Sequence, residues 1–192
     1  LHYTKHYRTR TRFMARHQVF TNRVAGPLMR GMHHIPVDRA AGQASYREAV
    51  ARLGAGEVVG VFPEATISQS FTVKPIKTGA VRMAAEAGVP VIPVAIWGSQ
   101  RLWTKGRPRN LTQRHVPVLI RVGEPFQPTP RDDTDTLTAD LRARMSALLD
   151  TTQREYPETP RPGDDPFWLP AHLGGTAPTP EAAALAEERS NA

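Results

Sequence analysis

Apolar runs alternate along this chain with segments whose apolar residues recur at helical spacing. Residues 11–15 (TRFMA) read as a short strand, and residues 20–30 as a helix broken by Gly26-Pro27. Ile35–Val37 opens a second strand that ends at Asp38-Arg39. Tyr46, Ala49, Val50 and Leu53 stand at i, i+3, i+4 and i+7, one apolar helix face, with Gly54 and Gly56 as stops. Residues 58–62 (VVGVF) form the continuous apolar run expected of a strand buried on both faces. Ala80, Met83, Ala84 and Ala87 repeat the helical spacing, ended by Gly88 and Pro90. Residues 89–97 are another apolar run, with Ile92, Pro93 and Val94 expected in the core, and residues 116–122 read as one more strand. Leu137, Leu141, Met145 and Leu148 define an amphipathic helix over 134–155. This order predicts an α/β fold, a mainly parallel central sheet flanked by helices.

From Tyr156 onward Pro and Gly become dense. The predicted division is a domain over residues 1–156 and an irregular acidic tail over 157–192. Phe167, Trp168 and Leu169 are candidates to dock that tail on the body, and Thr179-Pro180-Glu181 opens a short terminal helix.

Composition narrows the function. The 192 residues are 40% hydrophobic, enough for a buried core. The absence of cysteine removes disulfides, thiolate metal sites and cysteine nucleophiles. The most apolar stretch, residues 88–98, is about half the ~20 residues a membrane-spanning helix needs. The opening LHYTKHYRTR has no apolar signal-peptide core and no Met, and reads as the middle of a longer protein. Residues 1–125 hold 19 Lys and Arg against 6 Asp and Glu, a charge of +13, whereas residues 126–192 carry −6. A basic body suits nucleic acid, an anionic lipid surface or a phosphorylated small molecule; an acidic tail is ordinarily a solvated segment. No helix-turn-helix, zinc or aromatic RNA-binding signature accompanies the charge, so nucleic acid is not the expected partner. No G-x-S-x-G elbow is present for a serine hydrolase.

Three blocks carry the chemistry: GMHHIPVDR at 31–39, VFPEATIS at 61–68 followed by KTG at 77–79, and VIPVAI at 91–96. In this order and spacing, with FMAR at 13–16 ahead of them, they resemble the 1-acylglycerol-3-phosphate acyltransferase family; the alanine- and arginine-rich composition is similar to an actinobacterial branch. The resemblance covers roughly residues 10–150 and implies transfer of an acyl group from acyl-CoA or acyl carrier protein to a hydroxyl of a lysophospholipid. The family uses a histidine base held by an aspartate, with direct attack on the thioester, so no cofactor and no cysteine are needed. The alternative is a non-catalytic lipid- or phosphate-binding fragment.

The acceptor's phosphate calls for cations. The resemblance makes Arg39 its leading ligand, with Arg16 and Lys77 as further candidates. Glu64 and Thr66 follow a strand's carboxyl end, where open parallel sheets place ligands, and the same block adds Phe62, Pro63 and Ala65. The expectation is that Arg39 and Glu64 converge on one pocket. Each has a structural alternative: Arg39 paired with Asp38, Glu64 as an exposed turn residue, Lys77 as a solvated lysine.

The family's His-x4-Asp motif is expected upstream of Leu1. His33 and Asp38 match its spacing, but residues five apart on a strand face opposite sides, and Pro36 belongs only at a sheet edge; His33 and His34 read instead as a turn leading into the strand. Where the family usually has FPEGTRS this chain has FPEATIS. Ala65 therefore predicts a backbone with no positive φ. Ile67 stands where an arginine would contact phosphate, a charge-assisted bond worth about 1.5–3 kcal/mol, which leaves the acceptor open. A peripheral position on the cytoplasmic face of the membrane is implied, with Trp97 and Trp103 read either as interface residues or as simple packing residues.

Overall fold

The TRFMAR run at residues 11–16 becomes the middle strand of a parallel sheet. The computed structural model describes residues 11–38 and 42–191. The chain divides into two units, the first of residues 1–63, 78–91 and 126–134, the second of residues 64–77, 92–125 and 135–192.

In the first unit, β1 (Thr11–Arg16) leads through α1 (His17–Thr21) and α2 (Ala25–Gly31) into β2 (Ile35–Val37), and then through α3 (Gly42–Gly54) into β3 (Val58–Gly60). The strand order is β2-β1-β3, and both pairings are parallel. Pro36 lies on an edge strand, where its missing N–H is tolerated. The predicted helix break falls earlier than Gly26-Pro27. Asn22 Oδ1 accepts the N–H groups of Val24 and Ala25 at 2.9 and 3.0 Å, which restarts the helix. Pro27 then sits in the first turn of α2, where its N–H is not needed.

The predicted apolar face of α3 packs as expected. Ile35, Ala49 and Met83 are buried together, with Met14, Tyr46, Val50, Leu53, Val59 and Val61 around them. Met83 comes from α4 (Gly79–Ala87), which Gly88 ends in the left-handed conformation at φ 66°. Arg12 bridges Glu57 side-on, Nε to Oε2 at 2.5 Å and Nη2 to Oε1 at 3.1 Å, which ties the start of β1 to the turn before β3. The pair holds the Glu57 carboxyl below the usual carboxylate range.

The second unit is built on an antiparallel ribbon of β4 (Val94–Trp97) and β5 (Leu119–Val122), with α5 (Thr134–Arg154) and α6 (Pro180–Asn191). Phe71, Trp97, Tyr156, Trp168 and Ala177 form its core, flanked by Leu119, Leu149, Phe167 and Leu169. Phe71 meets Trp97 edge-on at 5.7 Å, and Gln153 Nε2 donates to the Phe71 carbonyl at 2.7 Å. Trp168 thus docks residues 157–192 as the aromatic triplet suggested. Nor is the acidic tail simply solvated: Glu158 pairs with Arg101, Asp165 with Arg107, and Glu187 with Lys74.

Two strand expectations are corrected. The run at 58–62 is not buried on both faces; β3 ends at Gly60 on the sheet's edge, and Val58 is 49% exposed. The run at 89–97 is not one strand, because Pro90 and Pro93 cannot donate to a ladder. Val91 makes an isolated bridge to Phe126, and pairing resumes at Val94. Pro93 is buried, but Ile92 and Val94 are exposed rather than core, as are Ile96, Ile120 and Val122 on the same outward face of the ribbon.

Candidate functional site

Parallel strands end together, and two of the predicted residues, Arg16 and Phe62, stand at or just past the carboxyl edge of the β2-β1-β3 sheet. Arg16 is the last residue of β1 and lies opposite Val37, one residue before Asp38. Its side chain is exposed. Arg39 follows Asp38, and with it the expected convergence on Glu64 lies outside the described residues.

Phe62, two residues past β3, is 67% exposed and stacks on Phe13 at 6.0 Å between centroids. Phe13 also meets His34 edge-on at 5.6 Å, and its N–H donates to His34 Nδ1 at 3.1 Å. Phe13 lies so close over Gly60 that a Cβ there would come within 2.6 Å of the ring. His34, Phe13 and Phe62 therefore make an aromatic row across the sheet. Phe13 was not among the predicted site residues, although its alternation within TRFMA was the available signal. His33 occupies a left-handed turn at φ 56°, as its turn reading requires.

The FPEAT block straddles the two units. Phe62 and buried Pro63 belong to the first, Glu64, Ala65 and Thr66 to the second. Glu64 is not an exposed turn residue. Half-buried, it accepts the Lys74 N–H on Oε2 at 2.9 Å. Burial pushes its carboxyl above the usual range, against the opposing pull of the Lys74 N–H and the charges of Lys74 and Arg142. Ala65 contradicts its expectation: its φ is +57°, so the turn kept the left-handed conformation glycine would supply and alanine bears the strain. Thr66 is exposed, and so is Ile67 at 56%. Lys77 is exposed just ahead of α4.

A cleft of about 360 Å³ in the second unit is lined by Ser70, Lys74, Arg142, Gln153, His172 and Glu187, among others. Its cations are engaged. Lys74 Nζ bonds Glu187, and Arg142 donates to the carbonyls of Lys74 and Val73 at 3.1 and 3.2 Å. His172 Nε2 lies 3.1 Å from Asp150 Oδ1, both side chains being 41% exposed. Asp150 is shared with Arg154 at 2.8 Å, and that bond is the main reason its carboxyl sits below the usual range. This is the geometry of an exposed hydrogen-bonded pair, not of a desolvated catalytic dyad.

Together these features describe an α/β domain whose three parallel strands end on one edge. The chain matches the family model described as Acyltransferase over residues 1–97. It is 33% identical over 150 residues to the 1-acyl-sn-glycerol-3-phosphate acyltransferase of Bacillus subtilis (strain 168), covering 76% of this chain and 67% of that protein. It is 29% identical over 154 residues to the enzyme of the same name from Limnanthes douglasii, covering 78% of this chain and 52% of that one. The crystal structure of the 1-acyl-sn-glycerophosphate (LPA) acyltransferase PlsC from Thermotoga maritima shares the fold with a TM-score of 0.63 at 22% identity, over 77% of this chain and 59% of that chain. The protein belongs to the acyltransferase family.

Proposed function

We propose that this chain carries the acceptor-binding part of an O-acyltransferase that moves a fatty acyl group from a thioester to a hydroxyl of 1-acylglycerol-3-phosphate or a related lysophospholipid, in phospholipid biosynthesis. In the transfer the hydroxyl oxygen attacks the thioester carbonyl, the new ester C–O bond forms, the C–S bond breaks, and the thiol of CoA or acyl carrier protein departs with a proton. No cofactor enters this balance. The observation that carries the reading is the shared carboxyl edge of the parallel strands, where Arg16, the strand leading to Arg39, and Phe62 stand in a chain of this family.

Arg39 and Arg16 are proposed to hold the acceptor phosphate, with Lys77 as a further candidate. The aromatic row of Phe13 and Phe62 offers an apolar surface suited to an acyl chain. Glu64 and Thr66 shape the block that Pro63 and Ala65 turn. The general base is not assigned to a described residue: His34 Nδ1 is engaged by the Phe13 N–H, and His172 is held in a surface pair.

Among the described residues no helix is long and apolar enough to cross a membrane. The proposed acceptor is a membrane lipid, so the proposed position is peripheral, on an anionic cytoplasmic membrane face. The test is acyl transfer from oleoyl-CoA to lysophosphatidate by the gene product that contains this chain. Arg39→Ala is expected to raise the acceptor KM about tenfold or more, the loss of one charge-assisted contact, with the donor KM unchanged. Absence of transfer, with lysophosphatidate still bound, would leave a binding module instead.

A further inference from the structure

The connection between β4 and β5 is a built loop with a distinct surface. Residues 98–118 contain Arg101, Lys105, Arg107, Arg109, Arg114 and His115, and no carboxylate. The Asn110 N–H donates to the Leu102 carbonyl at 2.8 Å, Asn110 Nδ2 bonds Gln113 Oε1 at 3.2 Å, and Thr104 is buried, so the loop is anchored at its base. Every residue from 105 to 115 is nonetheless exposed.

Its cations divide into two sets. Arg101, Lys105 and Arg107 face Glu158, Glu187 and Asp165 of the acidic tail. Among the described residues, no carboxylate pairs with Arg109 or Arg114. The Arg109 guanidinium lies 4.0 Å from the centroid of the Trp103 ring. Trp103 is 58% exposed and Leu111 69%. Of the three tryptophans, Trp97 and Trp168 are core residues at 3% and 5%.

We propose that this loop anchors the protein to anionic lipid, with Trp103 and Leu111 entering the headgroup layer and Arg109 and Arg114 meeting lipid phosphates. A tryptophan backed by a guanidinium presents an apolar body and polar edges, the combination that settles at a membrane interface. The unpaired arginines supply the charge complementarity. Capture of an acidic protein by the same surface is the outcome that the vesicle experiment separates from lipid binding. The proposal rests on the reading of the acceptor as a membrane lipid, and adds which surface meets it.

The experiment measures binding of the gene product to phosphatidylcholine vesicles with and without phosphatidylglycerol, by sedimentation and by tryptophan emission. Binding is expected only with phosphatidylglycerol and to weaken with salt. Emission should shift to the blue and be quenched by brominated lipid, a signal that the burial of Trp97 and Trp168 assigns to Trp103. Trp103→Phe should abolish the tryptophan shift, and Trp103→Ala or Leu111→Ser should weaken binding. Arg109→Gln and Arg114→Gln should each weaken it about fivefold. All four positions are exposed, and circular dichroism checks that the variants fold. The proposal is overturned by equal binding to both vesicle types, by undiminished binding of the arginine variants, or by capture of acyl carrier protein through this loop without vesicle binding. Transfer to a soluble short-chain lysophosphatidate is assayed in parallel. If transfer persists while vesicle binding is absent, this proposal alone falls; if binding holds while transfer is absent, the acyltransferase reading alone falls.

Discussion

Ala65 sits at φ +57° in the turn after Pro63. A β-carbon in that region crowds the following carbonyl at a cost of about 1–2 kcal/mol, which glycine avoids. Part of this is offset because glycine adds freedom to the unfolded chain. Ala65→Gly is therefore expected to stabilise the protein by about 1 kcal/mol, read as a higher denaturant midpoint with unchanged slope. At the neighbouring residue, burial raises the Glu64 pKa. A carboxyl whose folded pKa is raised adds stability below its unfolded pKa, and loses it as pH rises through the folded value. Glu64→Gln still offers an oxygen to the Lys74 N–H and carries no charge to bury. The variant should thus gain on the parent as pH climbs from the acid range to neutrality, in paired urea titrations at several pH values. A gap that shrinks with pH would refute this.

Between elements, α3 and α4 are held by Tyr46, whose OH donates to Glu86 Oε2 at 2.7 Å while Arg82 lies 5.6 Å over the ring. Burial first, then the Glu86 bond, pushes its phenol up to about 12. Spectrophotometric titration should show a phenol ionising near 12, its step missing in Tyr46→Phe. The stability this bond contributes is present below the ordinary phenol pKa and lost as pH rises through the folded value. The phenylalanine variant should cost about 0.5–1.5 kcal/mol at neutral pH. The helices themselves were legible because their periodicity survives in any packing: Tyr46, Ala49, Val50 and Leu53 do face the first unit's core. The apolar runs at 58–62 and 89–97 were less so. An apolar run is compatible with a central strand, an edge strand or an extended segment, and the choice depends on which strands flank it.

For the molecule as a whole, residues 157–192 contribute Trp168 and Ala177 to the second unit's core and three carboxylates to its ion pairs. Trp168→Ala is expected to cost about 3–5 kcal/mol, the range for emptying a buried aromatic site, measured by chemical denaturation. A loss below about 1 kcal/mol would mean that Trp168 does not carry the core.

The sequence by itself determined the α/β order, the helix faces, the family's motif blocks and the candidate cations, because each depends on local spacing and residue chemistry. Only the tertiary structure decided that Ala65 is left-handed, that Glu64 is turned back onto the Lys74 amide, that Phe13 joins His34 and Phe62 in one row, and that the acidic tail neutralises part of the basic loop. Those outcomes join residues that lie far apart along the chain or adopt a conformation imposed from outside the segment. Burial, ion pairing and left-handed strain are properties of the neighbours a residue meets after folding, and local pattern does not encode them.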